Sequence, residues 1–415
     1  MGVPPREPGT DRVIDVRVSS TVRRTAFPLL CLAALLEFLG VGIAIPTLPR
    51  FISQDLGLGD LAVGLAVGIF AIGALGIRPL AGRWGDAHGR RPLVVAGLIT
   101  TAVPTALTGF VSEYWMVLGL RIVTGVGQAL FFVGAATLAA DLADEDRRGA
   151  ALSLFSLPIY LALGVGPALG EFLFTTSGAG LAFLVAGLLP ATGLLLWPVL
   201  PERPGPVVPK RRARGPLLHP AAFGPGLVIL FGLLGFIGFQ AYLPLYADDI
   251  GLLRPELVFL LYAAIVITIR LVGAGLPDRW GATRTGTIAG CLIATGLGVI
   301  ALIPAPVAVF VGTGVLAVGM ALQYPALMSL AVGRAPEEER TSVVSTFSGF
   351  FDLAQAGGGA VLGATAAAFG YRAAFGCGAV AAVLALGFLR LGLTRSTRAA
   401  PVRDEPAAYL PPGAD

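Results

Sequence analysis

The sequence predicts an all-α polytopic membrane protein, with 12 transmembrane helices arranged as two pseudo-symmetric six-helix bundles. Three observations predict it. Of the 415 residues, 55% are apolar and only 13% are charged, a balance that excludes an ordinary soluble domain. Twelve apolar stretches each approach the ~20 residues that a helix needs to cross a bilayer. Motifs of the first half also return in the second at a constant offset of 192 residues. No ten-residue alternation of polar and apolar positions occurs, which argues against a β-barrel.

Along the chain, a polar tail over 1–24 is followed by no small-residue cleavage site and is not a cleaved signal. The first bundle occupies 25–200, with spans at 25–49, 60–80, 92–111, 115–139, 149–173 and 178–200. A linker over 201–220 sets Lys210, Arg211, Arg212 and Arg214 among prolines. The second bundle occupies 221–393, with spans at 221–245, 255–276, 285–304, 306–332, 342–368 and 371–393. The tail over 394–415, rich in Pro and Ala, reads as disordered. With loops assigned alternately, and Arg78, Arg270 and Arg390 at span ends grouped with the loops they adjoin, 25 of the 29 basic residues fall on one side, leaving Arg50, Arg254 and Arg372 outside and Arg121 deep within a span. That asymmetry places both termini in the cytoplasm. It also explains a net charge of +4 without any appeal to nucleic acid. Lys210 is the sole lysine, and Ala and Gly abound. This usage suggests a GC-rich bacterial genome and hence a bacterial inner membrane. Cys31, Cys291 and Cys377 lie in apolar spans without metal-like spacing and read as small packing residues.

The repeat is specific. Ile77-Arg78 matches Ile269-Arg270, Asp86 matches Asp278, Gly89 matches Gly281, and Phe155-Ser156 matches Phe347-Ser348. Parallel repeats of this kind place a substrate site between two rocking halves in many transporters.

Three ionisable residues lie deep in apolar spans: Glu37, Arg121 and Asp352. A charge in hydrocarbon costs roughly 2.5–3.5 kcal/mol on insertion scales, so such residues usually serve transport. Glu37 opens the run Glu37-Phe38-Leu39-Gly40-Val41-Gly42, with Pro46 beyond it. Arg121 leads Arg121-Ile122-Val123-Thr124-Gly125-Val126-Gly127-Gln128, and Gln128 shares its helical face. An unpaired arginine there calls for a carboxylate, and Glu37 is the expected partner, with protonation of Glu37 in the alternate state. Asp352 takes the repeat position of Tyr160. It reads as a second proton site, a cation-binding group or a structural acid. Gln240, Tyr242, Met320 and Tyr324 are further candidates for the cavity wall, Met320 and Tyr324 sharing one face. The fifth span carries Gly164-Val165-Gly166-Pro167-Ala168-Leu169-Gly170-Glu171. Pro167 removes a helix hydrogen bond while Gly166 and Gly170 permit close packing, so this span should bend.

Between the second and third spans, Gly82-Arg83-Trp84-Gly85-Asp86-Ala87-His88-Gly89-Arg90-Arg91 resembles the loop motif of the major facilitator superfamily, departing at Ala87 where a basic residue is usual. Glycines suit a tight turn, Asp86 suits a helix N-terminus, and Arg90 and Arg91 suit carboxylates or helix ends. The resemblance implies a conformational latch formed by Gly82, Asp86, Gly89, Arg90 and Arg91, with Asp278 and Arg279 as its second-half counterpart. The fourth span resembles the superfamily's second motif. The first span is similar to that of drug–proton antiporters of the tetracycline-exporter type, with Glu in place of the commoner Asp. The fifth resembles the exporter motif, with Glu171 where a further Gly is usual, and implies a hinge at Gly166, Pro167 and Gly170.

The resemblance covers about 25–393 and implies proton-driven export of a small organic compound, a drug or a secreted metabolite, by a monomer working through alternating access. Glu37 and Asp352 would then carry protons. The rivals are a symporter or uniporter importing a nutrient and, from another class, a membrane sensor on the same fold. No nucleotide-binding loop, Ser-His-Asp set or metal cluster appears in the sequence. The expected partners are therefore a small-molecule substrate, protons and the bilayer, with no cofactor, no metal and no enzymatic activity.

Overall fold

The computed structural model describes residues 20–143, 148–199, 218–272, 279–336 and 339–396. Most of the predicted linker, Asp278, and most of both tails lie outside the described residues. Helix α1 (Ser20–Arg50) continues into a π-helical turn at Phe51–Asp55, followed by α2 (Asp60–His88), α3 (Arg90–Thr108) and α4 (Tyr114–Asp141). The helical stretch Arg148–Gly193 leaves helical geometry at Gly178 (φ 79°, ψ 175°), so it comprises two limbs, α5 (148–177) and α6 (179–193). There follow α7 (Pro220–Asp249), α8 (Glu256–Val272), α9 (Ala282–Leu302), α10 (Pro306–Val332), α11 (Arg340–Phe369) and α12 (Tyr371–Ser396). The described residues thus form twelve long helices and no strand.

Nine described helical stretches are long and apolar enough to span a bilayer, and one of these holds both α5 and α6. Helix α8, of 17 described residues, and α11, diluted by Gly, Ser and Thr, complete the set. Only a helix satisfies its backbone groups within a single segment and without water, which is why apolar length translates directly into this architecture.

Small residues decide how the helices pack, because lipid tails provide no hydrophobic drive between them. In the first half, Gly97 of α3 and Gly127 of α4 meet the backbones at Phe131 and Thr101. In the second half, Gly296 of α9 meets Gly312 of α10, and Gly319 packs on Ile293. Gly127 and Gly319 are repeat mates, so each half uses the same device. Thr47, Thr108, Thr124 and Thr137 each donate to the carbonyl four residues earlier, which satisfies their hydroxyls inside an apolar bundle.

The halves meet along two symmetric seams. On one, α2 packs on α11 through Gly64, Gly68, Ala356 and Gly359; on the other, α5 packs on α8 where Gly164 faces Ala263. The 192-residue repeat exchanges these seams. Helix α1 also packs on α7, beside the groups described next.

Candidate functional site

At the end of the bundle where α1 stops, Arg50 ties the halves together. Its side chain is buried, with a side-chain exposure of 5%, and donates Nε to Glu171 Oε1 at 2.8 Å. Across the interface it donates Nη1 to Asp248 Oδ2 at 2.7 Å and Nη2 to the Pro244 carbonyl at 3.0 Å. Gln54 adds a bond to Asp248 at 3.2 Å. Beside this cluster, Tyr242 donates to the Asp60 carbonyl and Tyr371 to the Asp60 carboxylate, both at 3.1 Å, and the two tyrosine rings stack 5.8 Å apart. These contacts from α1, α2 and α5 to α7 and α12 close this end, which is the predicted outer face. Arg50 reads in sequence as a loop charge. The usable signals were that outer basic residues are few and that Glu171 replaces the usual glycine of the α5 motif.

Deeper, between the halves, two arginines related by the repeat have different companions. Arg78 of α2 lies 2.6 Å from Asp352 Oδ2 of α11, an ion pair that lacks the alignment of a good hydrogen bond. Arg270 of α8 instead stacks on the ring of Tyr160 of α5, with its guanidinium carbon 3.6 Å from the centroid. Positions 352 and 160 are also repeat mates, so an acid on one seam stands where an aromatic ring stands on the other. Tyr324 of α10 is within electrostatic reach of all four groups and packs edge-on against Phe347 and Phe351. The Nε–H of Arg270 is buried with no acceptor among the described residues. Leaving a buried donor unpaired costs about 1–3 kcal/mol, and more when it is charged.

The remaining candidates are placed as follows. Glu37 is wholly buried, and neither carboxylate oxygen completes a hydrogen bond among the described residues; the Thr101 hydroxyl of α3 is its polar neighbour. The expected Glu37–Arg121 pair is not made. Arg121 turns to α2 instead, donating Nε to the Ala66 carbonyl at 3.3 Å and lying 4.7 Å from the centroid of the Phe70 ring. Depth along two spans did not fix which face each residue presents. Gln128 and Gln240 are half-buried, Met320 is buried, and Tyr242 lies in the closed end rather than against an open cavity.

In the loop motif, α2 continues helical through His88, so Asp86 lies in a last helical turn and not at a helix N-terminus. Its side chain is not among those described. Gly82 lies within that last stretch of α2, and Gly89 alone makes the turn, at φ 89°, where a side chain would be strained. Arg90 is nearly buried, with Nε 3.6 Å from Asp141 at the end of α4. Arg91 is half-buried and Arg279 exposed. In α5, a Cβ on Gly166 would meet the Gly42 backbone at 2.7 Å, and one on Gly170 would collide with the Ile43 carbonyl. Gly166, Pro167 and Gly170 therefore form a seam on which α1 and α5 lie backbone to backbone. Among the described residues no group of His, Cys, Asp and Glu is placed to hold a metal.

A two-halved helical bundle with buried charges at the joint defines a class, the multi-pass membrane transporters. The chain matches the Major Facilitator Superfamily profile over residues 30–318 and 278–412 and belongs to that superfamily, whose transporters generally need no bound cofactor. It is 29% identical over 370 residues to an uncharacterised MFS-type transporter of Salmonella typhimurium, covering 86% of this chain and 94% of that one. It is 27% identical over 353 residues to uncharacterised MFS-type transporters of Burkholderia mallei and Burkholderia pseudomallei, covering 83% and 86%. Among solved structures, a bacterial homologue of the human lysosomal transporter Spinster, inward-facing and unoccupied, superposes with a TM-score of 0.74 at 17% identity, covering 91% of this chain and 96% of that one. The human organic anion transporter MFSD10 gives 0.64 at 20% identity, with 88% and 99% covered. The nucleoside transporter NupG gives 0.72 at 14% identity, also with 88% and 99% covered.

Proposed function

We propose that this transporter exports a small organic compound in exchange for protons, by alternating access, as a monomer with both termini in the cytoplasm. The observation that carries the proton coupling is Glu37: a carboxyl wholly buried in α1 with no cation and no completed hydrogen bond among the described residues. An ionised carboxylate without a partner there costs several kcal/mol, so the acid holds a proton in this conformation. It releases the proton when α1 moves and water enters.

Two features of α1 support such a movement. Helix α1 carries Pro28, Pro46 and Pro49, and it lies backbone to backbone on the Gly166–Gly170 seam of α5, where no side chain stands between the two helices. At its end, Arg50 keeps Glu171 within its own half while Asp248 belongs to the other. Rocking therefore breaks the Arg50–Asp248 link and preserves Arg50–Glu171. The α5 seam and its Gly-Pro motif favour export over import.

The test is direction. In intact cells producing the protein, accumulation of a drug and metabolite panel is compared with cells lacking it, with and without a protonophore. Lower accumulation that the protonophore abolishes supports the proposal, and raised accumulation establishes import. Saturable binding of a panel compound with no flux establishes a sensor.

A further inference from the structure

The two halves present the same arginine, at 78 and 270, to different partners. Asp352 occupies Arg78. At the equivalent place opposite Arg270 stands Tyr160, whose ring lies 3.6 Å from the guanidinium carbon and so covers its flat face without supplying a carboxylate to its edge. That edge carries the N–H groups that receive a carboxylate side-on, and the Nε–H among them is buried with no acceptor among the described residues. The other interior arginines are engaged: Arg50 by two carboxylates and a carbonyl, and Arg121 by a carbonyl and a ring within its own bundle. Among the described residues at the joint between the halves, Arg270 keeps a buried Nε–H without an acceptor. Around it, Arg78, Arg270, Asp352, Tyr160 and Tyr324 hold two cations against one acid.

We infer that the edge of Arg270 receives the anionic group of the transported compound, which is an organic anion with a flat apolar body lying among Tyr160, Tyr324 and Phe351. The inference rests on the transporter reading above and names its substrate class. The carboxylate, sulfonate or phosphate of the substrate takes the place that Asp352 fills on the opposite seam. A cation is disfavoured by the surplus positive charge, and a neutral compound leaves the Arg270 edge unpaired. Because Arg270 and Tyr160 belong to different halves, an anion held there also bears on their separation. Binding and the conformational change are thereby joined at one contact.

The test uses the full chain, purified in lipid nanodiscs, and equilibrium dialysis with five probes sharing one ring system. These are 1-naphthoate, 1-naphthalenesulfonate, 1-naphthyl phosphate, the neutral 1-naphthamide and the cationic 1-naphthylmethylammonium. At least one of the anions should bind saturably, and the amide and ammonium compounds at least about tenfold more weakly. Arg270→Gln should weaken anion binding by about ten- to a hundredfold, the range for losing hydrogen bonds to a charged group. Arg270→Lys, which keeps the charge and loses the fork, should fall between. Tyr160→Asp should abolish anion binding while the protein keeps its gel-filtration profile, because the introduced acid fills the site. Where Tyr160→Asp does not fold, the two Arg270 variants decide. Absence of saturable binding by all three anions, equal binding of the ammonium compound, or unchanged affinity in Arg270→Gln overturns the inference. Proteoliposomes with an imposed pH gradient separate the two readings. An anion that binds but is not moved leaves the site standing and removes proton-coupled export. Proton-driven movement of the ammonium compound leaves the transporter reading and removes the site.

Discussion

The Arg50 cluster makes a prediction whose size follows from its geometry. Asp248→Asn removes the one carboxylate that Arg50 reaches across the interface while preserving shape and one acceptor. Two charge-assisted hydrogen bonds, at 2.7 and 3.1 Å, become at most one neutral contact. Hydrogen bonds to charged groups contribute about 1.5–3 kcal/mol each. The Asp248 side chain is 50% exposed, however, and solvent screening reduces the loss to about 1–2 kcal/mol. Arg50 keeps Glu171 in either conformation, so nearly all of this loss falls on the state in which the Arg50 end is closed. The closed-to-open ratio should then drop about 5- to 30-fold. Double electron–electron resonance reads it directly. With Cys31, Cys291 and Cys377 replaced by serine, spin labels are placed at Asp55→Cys and Leu253→Cys, two exposed positions flanking the closure. The Asp248→Asn protein should show a new longer-distance population that the parent lacks. An unchanged distribution would refute the assignment of Arg50–Asp248 as a contact belonging to one conformation.

Other outcomes follow from the same contacts. Glu171→Leu leaves buried Arg50 with Asp248 and the Pro244 carbonyl as its remaining partners and should lower thermal stability in detergent by about 1.5–3 kcal/mol equivalent, the loss of a bond to a charged group. Arg254→Gln, which breaks an exposed pair with Glu256, should change it by less than about 1 kcal/mol. Gly170→Ala drives a methyl into the Ile43 carbonyl and should cost about 1–3 kcal/mol by overpacking, whereas Gly119→Ala on open α4 surface should be neutral within error of the same melting assay. Arg78→Gln and Asp352→Asn should each impair transport, and the double variant should recover relative to the sum of the two. A double-mutant cycle on transport rate should show a coupling of at least about 0.5 kcal/mol, and strict additivity would show that the pair does not act together.

The architecture was legible because apolar length and glycine spacing act locally. A stretch of ~20 apolar residues has no alternative to a helix in lipid, and the 192-residue register showed that the second half repeats the first. The chemistry was legible only in part. The sequence marks Glu37 and Arg121 as deep charges but not their azimuth, and the helices turn them to α3 and α2 respectively. Arg78 and Arg270 were visible as repeat mates, and Asp352 and Tyr160 likewise, yet their pairing depends on α2 crossing to α11 and α5 to α8. Such crossings join residues more than a hundred positions apart and leave no periodic trace. Arg50 reads as a loop charge because α1 outlasts its apolar run and carries the arginine, buried, on its last turn.

Proton coupling rests on Glu37, and everted membrane vesicles energised by respiration measure it. A compound shown to be a substrate is added, and proton movement is followed with a pH-sensitive dye. Wild-type vesicles should release protons on addition, and Glu37→Gln vesicles should not, although the variant still binds the compound. Proton release of equal size in Glu37→Gln would contradict the account.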